Sequence, residues 1–157
     1  MANTYTQICI QIVFAVQGRH CLIPRAHKDE IYKYTTGIIS NRGQKLIAIN
    51  GMPDHIHVFV GMTPAIALSD LVRDIKAGSS GFINEKAWIR GGFNWQEGFG
   101  GFSYSHSQIE EVAKYIQNQE EHHRKKSFKE EYLETLKAFA VRYDERYLFN
   151  WIETSEQ

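Results

Sequence analysis

The chain has 157 residues, with 18 Lys and Arg against 18 Asp and Glu, so its formal charge is zero. This length suits one domain with a hydrophobic core, predicted to span residues 1–157. The balanced charge argues against a protein that coats nucleic acid non-specifically, but not against a local basic groove. The two cysteines make neither a disulfide framework nor a metal knuckle, and no apolar run reaches the roughly 18 residues that cross a membrane, so we expect a cytoplasmic protein without a membrane partner.

The first sixty residues predict a strand, a helix and two further strands. Apolar residues alternate over 7–16, which is typical of a strand. A helical stripe over 28–41 is followed by a glycine that stops it. Residues 45–50 form the next strand, and Asn50-Gly51 is a strong hairpin signal. The second and third strands are therefore predicted to be antiparallel neighbours.

The third strand carries two histidines on one face. In Asp54-His55-Ile56-His57, successive side chains point to opposite faces, so His55 and His57 point the same way. Two such imidazoles can converge on a metal ion, because histidine is a common metal ligand near neutral pH. Two hydrogen-bonded histidines on a half-buried strand would give the same pattern, and the strand alone leaves both interpretations open.

A second helix and a glycine-rich segment follow. Thr63-Pro64 leads into an apolar helical stripe, and Arg73 and Lys76 on its later turns would either grip phosphates or lie at a solvated helix end. Residues 93–104 read as extended chain around three glycines, which would form a flexible joint. This loop lacks the lysine and the spacing of a phosphate-binding loop, so no nucleotide cofactor is expected.

Two helices are predicted in the last part of the chain, over about 107–124 and over 128–139. Ser107 and Glu110 have the spacing of a capping box at the start of the first of these helices. Tyr115 and Gln119 lie one turn apart on its polar flank, although a tyrosine can also simply pack at the core boundary there. The order of elements predicts an α+β fold: a ferredoxin-like (RRM-like) βαββαβ antiparallel sheet with additional C-terminal helices.

Five stretches, in order, span the chain from the third strand to the tail. They are His55-Ile56-His57, the segment from Ser69 to Lys76, Trp95 to Gly100 with Phe102-Ser103, the segment from Tyr115 to His123, and Tyr143 to Leu148. Together they resemble the small single-tyrosine HUH transposases of the insertion-sequence 200/605 kind. Each stretch alone is weak, but the joint match is specific.

The resemblance implies roles for individual residues. It implies that Tyr115 is the nucleophile and that His55, His57 and Gln119 bind a divalent metal ion, Mg²⁺ or Mn²⁺. The two imidazoles alone would fit Zn²⁺ or Mn²⁺ better than Mg²⁺. Arg73 and Lys76 fall in a segment that resembles a DNA-contacting part of the family.

The resemblance also implies the reaction and the partners. A transposase of this kind binds hairpin ends of single-stranded DNA and cleaves and rejoins strands through a 5′-phosphotyrosine intermediate. The family is dimeric, and the tyrosine helix of one subunit can meet the histidine pair of the other. A prokaryotic cytoplasm is the implied location.

Three other interpretations compete with this one. A histidine-triad nucleotide hydrolase would need a third alternating histidine, and Phe59 occupies that position. An RNA-recognition-like binding module fits the order of elements but leaves the histidines and Tyr115 without a joint purpose. A catalytically silent or domesticated relative that only binds single-stranded nucleic acid would share every motif, and imperfect palindromes in the flanking DNA would distinguish an active element from it.

Overall fold

The computed structural model describes residues 3–152 and contains one four-stranded antiparallel sheet. The strands are β1 (Ile8–Ala15), β2 (Lys45–Met52), β3 (His55–Met62) and β4 (Gly100–Tyr104), in the order β2-β3-β1-β4. The helices are α1 (Lys28–Asn41), α2 (Leu68–Lys86), α3 (Ile109–Gln117), α4 (Gln119–His123) and α5 (Phe128–Ala138). This confirms the predicted ferredoxin-like sheet with additional C-terminal helices. Residues 1–2 and 153–157 of the predicted domain lie outside the described residues.

Helices cover both faces of the sheet. The face that carries Ile12 and Val58 packs in one large cluster with α1 and α2. On the opposite face, Phe59 packs against Val112 and Ile116 of α3. A binding module that reads nucleic acid on an open sheet face would need this second face free, so the packing of α3 argues against the RNA-recognition-like interpretation. Among the described residues, no helix is both long enough and apolar enough to cross a membrane.

The turn between β2 and β3 differs from the prediction. The two strands are antiparallel neighbours as expected, but Met52 pairs with His55, so the turn is Pro53-Asp54 rather than Asn50-Gly51. Gly51 lies inside β2, where an added Cβ would stand 2.9 Å from the Ile56 Cα. The glycine therefore allows close approach of two backbones instead of forming the turn.

The glycine-rich segment is also more ordered than predicted. Gly98 has a φ of +84°, which favours glycine, but Gly100 and Gly101 belong to β4. An added Cβ at Gly100 would lie 2.6 Å from the Tyr132 hydroxyl of α5. The glycine is therefore required for packing of β4 against α5, and the flexible joint predicted here is wrong for this position.

The helix predicted over about 107–124 is divided into shorter pieces. A short 3₁₀ turn over His106–Gln108 begins at a capping box formed by Ser105 and Gln108, not Ser107 and Glu110. Helix α3 then ends at Gln117, the ψ of 26° at Asn118 departs from helical geometry, and α4 begins at Gln119. Tyr115 and Gln119 therefore lie on two consecutive helices, and both point toward β3.

Candidate metal centre with a neighbouring tyrosine

His55 and His57 are buried on the face of β3 that α3 covers. The Nδ1–H of His55 donates to Asp54 Oδ1 at 2.7 Å, and that of His57 donates to Gln11 Oε1 at 2.7 Å. Oxygen acceptors at both Nδ1 atoms fix the tautomer, so that each Nε2 turns its lone pair to the same side. A hydrogen bond from the ring nitrogen that does not bind metal is the usual way in which a protein orients a metal-binding histidine.

A third histidine and a carboxylate complete the cluster. His123 ends α4, and its Nδ1 donates to the Lys126 carbonyl at 2.9 Å. Glu131, from α5, places Oε1 3.0 Å from His57 Nε2 and 3.5 Å from His55 Nε2. One ligand atom from each of these four residues lies within 4.8 Å of all the others, an arrangement that could hold a metal ion.

Gln119 joins the same cluster from the start of α4. Its side chain is fully buried, and its Oε1 lies 3.3 Å from His55 Nε2 and 3.1 Å from His123 Nε2. The structure thus brings together His55, His57 and Gln119, the three residues that the family resemblance implies as metal ligands. The break at Asn118 accompanies this inward position of Gln119.

The donor set fits a divalent cation. The His57 Nε2 lone pair faces a carboxylate oxygen, and two acceptors at hydrogen-bonding distance repel each other unless a proton or a cation lies between them. Three imidazole nitrogens with carboxylate and amide oxygens suit Mn²⁺ or Zn²⁺ better than Mg²⁺, which prefers oxygen ligands. The third imidazole strengthens the preference that the first two already indicated.

Without a metal, one proton on His55 balances the negative charge of Glu131 in this cluster. Burial lowers the pKa of His55, but the carboxylates of Asp54 and Glu131 outweigh it and raise that pKa to about 9. Burial lowers the pKa of His57. Burial alone would raise the pKa of the Glu131 carboxyl, but the adjacent imidazoles of His123, His55 and His57 hold that pKa well below its usual range. The metal-free site therefore contains an ionised Glu131 and a protonated His55.

Tyr115 borders this cluster in the same chain. Its hydroxyl donates a hydrogen bond to Glu131 Oε2, and the centroid of its ring lies 6.2 Å from that of His57 and 4.4 Å from that of His122. Burial, with the Glu131 charge as the second cause, raises the pKa of Tyr115 above its usual value, so the phenol is protonated at neutral pH. Tyr115 and the histidine pair therefore lie side by side in this chain.

The sequence predictions missed His123 and Glu131, although each leaves a signal. His123 follows Gln119 by four residues and so shares its helix face. Glu131 lies on the buried stripe of α5, between Phe128 and Leu136, where an apolar residue is expected. A buried carboxylate needs a partner, and here the partners are the imidazoles.

The two predicted DNA-binding residues, Arg73 and Lys76, lie along a cleft between α2 and the loop before β4. The Arg73 side chain is 68 % exposed, and its guanidinium lies 3.3 Å from Asp70 and 3.4 Å from Asp74. Lys76 donates to the Gln96 and Gly98 carbonyls at 2.8 and 2.6 Å. Lys76 therefore links α2 to the loop, and contact of either residue with DNA stays a prediction.

Replacing these two residues by methionine is expected to separate the two roles. Lys76→Met leaves two carbonyls without their donor and should lower the free energy of unfolding by about 1–3 kcal/mol. Arg73→Met should change the free energy of unfolding by less than about 0.5 kcal/mol. It should weaken the binding of single-stranded DNA and make that binding less dependent on salt concentration. Urea unfolding and salt-dependent DNA titration measure both. An Arg73→Met protein that binds DNA like wild type would contradict its predicted role.

Comparisons with known proteins identify the family of this chain. A family model described as "Transposase IS200 like" matches residues 4–119, which include Tyr115 and Gln119 but end before His123. The chain is 26 % identical over 120 residues to the ISDra2 transposase TnpA of Deinococcus radiodurans, covering 72 % of this chain and 84 % of that relative.

Two solved structures share the fold. A putative transposase from Deinococcus radiodurans R1 superposes with a TM-score of 0.57 at 22 % identity, over 76 % of this chain and 95 % of that one. A REP-associated tyrosine transposase bound to a REP hairpin superposes with a TM-score of 0.55 at 13 % identity, over 75 % of this chain and 70 % of that one.

Proposed function

The chain belongs to the family of IS200-like transposases, and from that premise we propose that it cleaves and rejoins single-stranded DNA through Tyr115. The observation that supports this most directly is the position of the Tyr115 hydroxyl, hydrogen-bonded to the carboxylate that also contacts His57. A nucleophile beside a cation site is the arrangement that phosphoryl transfer needs.

The proposed reaction is a transesterification. Tyr115 Oη attacks a backbone phosphorus, the Oη–P bond forms, and the P–O3′ bond breaks. The departing oxygen takes up a proton and becomes a 3′-hydroxyl, while the other strand end stays on Tyr115 as a 5′-phosphotyrosine. Attack by a 3′-hydroxyl reverses the step and joins the strands. One phosphodiester replaces another, so no nucleotide cofactor is needed.

We assign the metal ligands as His55, His57 and Gln119, as predicted, together with His123 and Glu131. A bound divalent ion would polarise the scissile phosphate and offset the charge that develops on it. Of the two ions that the family resemblance implies, the nitrogen-rich donor set favours Mn²⁺ over Mg²⁺. The Glu131 carboxylate also aims the Tyr115 hydroxyl toward the histidines and is the nearest acceptor for its proton.

We propose hairpin ends of single-stranded DNA as the substrate. One relative of the same fold is bound to a REP hairpin, and this fold is the basis of the proposal. The test uses single-stranded oligonucleotides tiled across the DNA that flanks the gene, with Mn²⁺ or with a chelator. A denaturation-resistant adduct that needs Mn²⁺, with the DNA mapped by mass spectrometry to the Tyr115 peptide, is expected. Hairpin binding without an adduct would instead support the silent or domesticated binding module.

We propose that each active site is assembled within one chain, and this gives a separate prediction for the proposed homodimer. Mixing Tyr115→Phe protein with His57→Ala protein should restore no adduct, because each chain then lacks part of its own site. If the tyrosine of one subunit served the histidines of the other, every mixed dimer would regain one intact site. Adduct formation after co-refolding the two variants measures the difference, and two wild-type samples treated identically are the control.

A further inference from the structure

A cavity of about 470 Å³ opens beside Tyr115, between α3 and α5. Its floor is the sheet, at Gln11 and Tyr104, and one wall is α3, at Glu111 and Tyr115. The opposite wall is α5 from Glu131 onward, together with Phe139 directly after this helix. Lys125 and Lys126, from the turn between α4 and α5, also line the cavity. Its volume falls in the roughly 300–1,000 Å³ range of sites that hold one small molecule.

We propose that this cavity binds the nucleoside immediately 3′ of the scissile phosphate, the one that remains attached to Tyr115 as a 5′-phosphotyrosine. The inference rests on the proposed function and adds to it a subsite for one nucleotide of the substrate.

Bond connectivity supports this occupant. The 5′-phosphate on Tyr115 Oη is joined directly to the sugar of that nucleoside, so the base must lie within one nucleotide's length of the tyrosine. Glu131 and the His57 ring occupy the surroundings of the hydroxyl on the metal side. The cavity is lined by the Tyr115 side chain itself and therefore offers the base a space next to the reacting atoms.

The chemistry of the lining suits a base and its following phosphate. The rings of Tyr104 and Phe139 meet edge to face, 5.3 Å apart, and present apolar surface on which a base can stack. The Glu111 carboxylate on α3 can accept a hydrogen bond from an exocyclic amino group of a base. Lys125, which also lines the cavity, supplies a positive charge that can pair with the next phosphate.

The wall formed by α5 lies beyond the residues that the family model matches. The side chains from Glu131 to Phe139 that line the cavity therefore come from outside the matched segment. The preference for the base at this position should depend on α5, because the sheet and α3 supply only the other walls.

The test uses an oligonucleotide that the wild type cleaves, with either a normal or an abasic nucleotide 3′ of the scissile phosphate. The abasic site should slow adduct formation roughly ten-fold or more in the wild type, a loss typical of one stacked base. Ala138→Trp fills the cavity and should slow the normal substrate similarly, with no further loss from the abasic site. Lys137→Trp, an exposed neighbour on α5 that does not line the cavity, is the matched control and should behave like wild type.

A second readout does not depend on cleavage. With Tyr115→Phe protein, 2-aminopurine at the same position should lose fluorescence when the DNA binds, and the Ala138→Trp change should remove this quenching without altering Mn²⁺ affinity. Equal rates for normal and abasic substrates, with unchanged fluorescence, would overturn the inference alone. No adduct from wild type on any substrate would overturn the proposed function as well.

Discussion

Tyr115→Phe is expected to reduce adduct formation below detection, by at least roughly 1,000-fold, because the ring stays and only the attacking oxygen is removed. The hydroxyl makes one hydrogen bond, to Glu131, so its loss should change the free energy of unfolding by about 1 kcal/mol. Mn²⁺ affinity should remain close to that of wild type, since the ligands are untouched. Denaturing gels, thermal unfolding and Mn²⁺ titration measure the three quantities on one protein.

Tyr147→Phe is the matched control for this experiment. Tyr147 is 81 % exposed and lies in the aromatic tail, so removal of its hydroxyl should leave the adduct unchanged. An adduct that persists in Tyr115→Phe but disappears in another tyrosine variant would identify a different nucleophile. Loss of Mn²⁺ binding in Tyr115→Phe would show that the variant disturbs the whole site, and the missing adduct would then say nothing about nucleophilic attack.

The sequence predicted the parts of this fold that depend on local periodicity. The two-residue repeat of a strand places His55 and His57 on one face wherever the strand lies, and the alternation in β1 and β3 follows the predicted faces. The hairpin was predicted, but its turn was not. Asn50-Gly51 is a favourable turn pair, yet contact between β2 and β3 uses Gly51 for close packing and leaves Pro53-Asp54 to turn the chain.

The residues that the sequence did not predict are those brought in by long-range packing. Glu131 is 74 positions from His57, and only the return of α5 across β4 places its carboxylate at the histidines. Gly100 permits that return, because a side chain there would collide with Tyr132. Helical periodicity identified Tyr115 and Gln119 as neighbours, but the break at Asn118 that separates their helices has no clear signal in an otherwise regular amphipathic pattern.

Glu131→Gln is expected to lower Mn²⁺ affinity by roughly 100-fold or more, because it removes the only carboxylate among the proposed ligands. Replacing a residue that only hydrogen-bonds to a metal ligand already lowers metal affinity by about 10–100-fold, and loss of a ligand should cost at least as much. The variant keeps the size of the side chain and an oxygen that can accept from Tyr115. The matched control is Glu134→Gln, one turn further along α5, where the exposed carboxylate pairs with Lys126. Isothermal titration with Mn²⁺ compares the two variants with wild type.

The same variant separates a ligand from a charge that merely balances the histidines. In the metal-free protein Glu131 pairs with protonated His55, and removing one member of a buried ion pair costs about 3–5 kcal/mol, so Glu131→Gln should unfold at a lower temperature without metal. If Glu131 is a ligand, saturating Mn²⁺ should stabilise wild type far more than the variant, since stabilisation follows affinity. If Glu131 only balances charge, the variant should bind Mn²⁺ as tightly as wild type or more tightly, because no His55 proton must then be displaced. That second outcome would leave His55, His57, His123 and Gln119 as the metal ligands and would assign Glu131 to the orientation of Tyr115 alone.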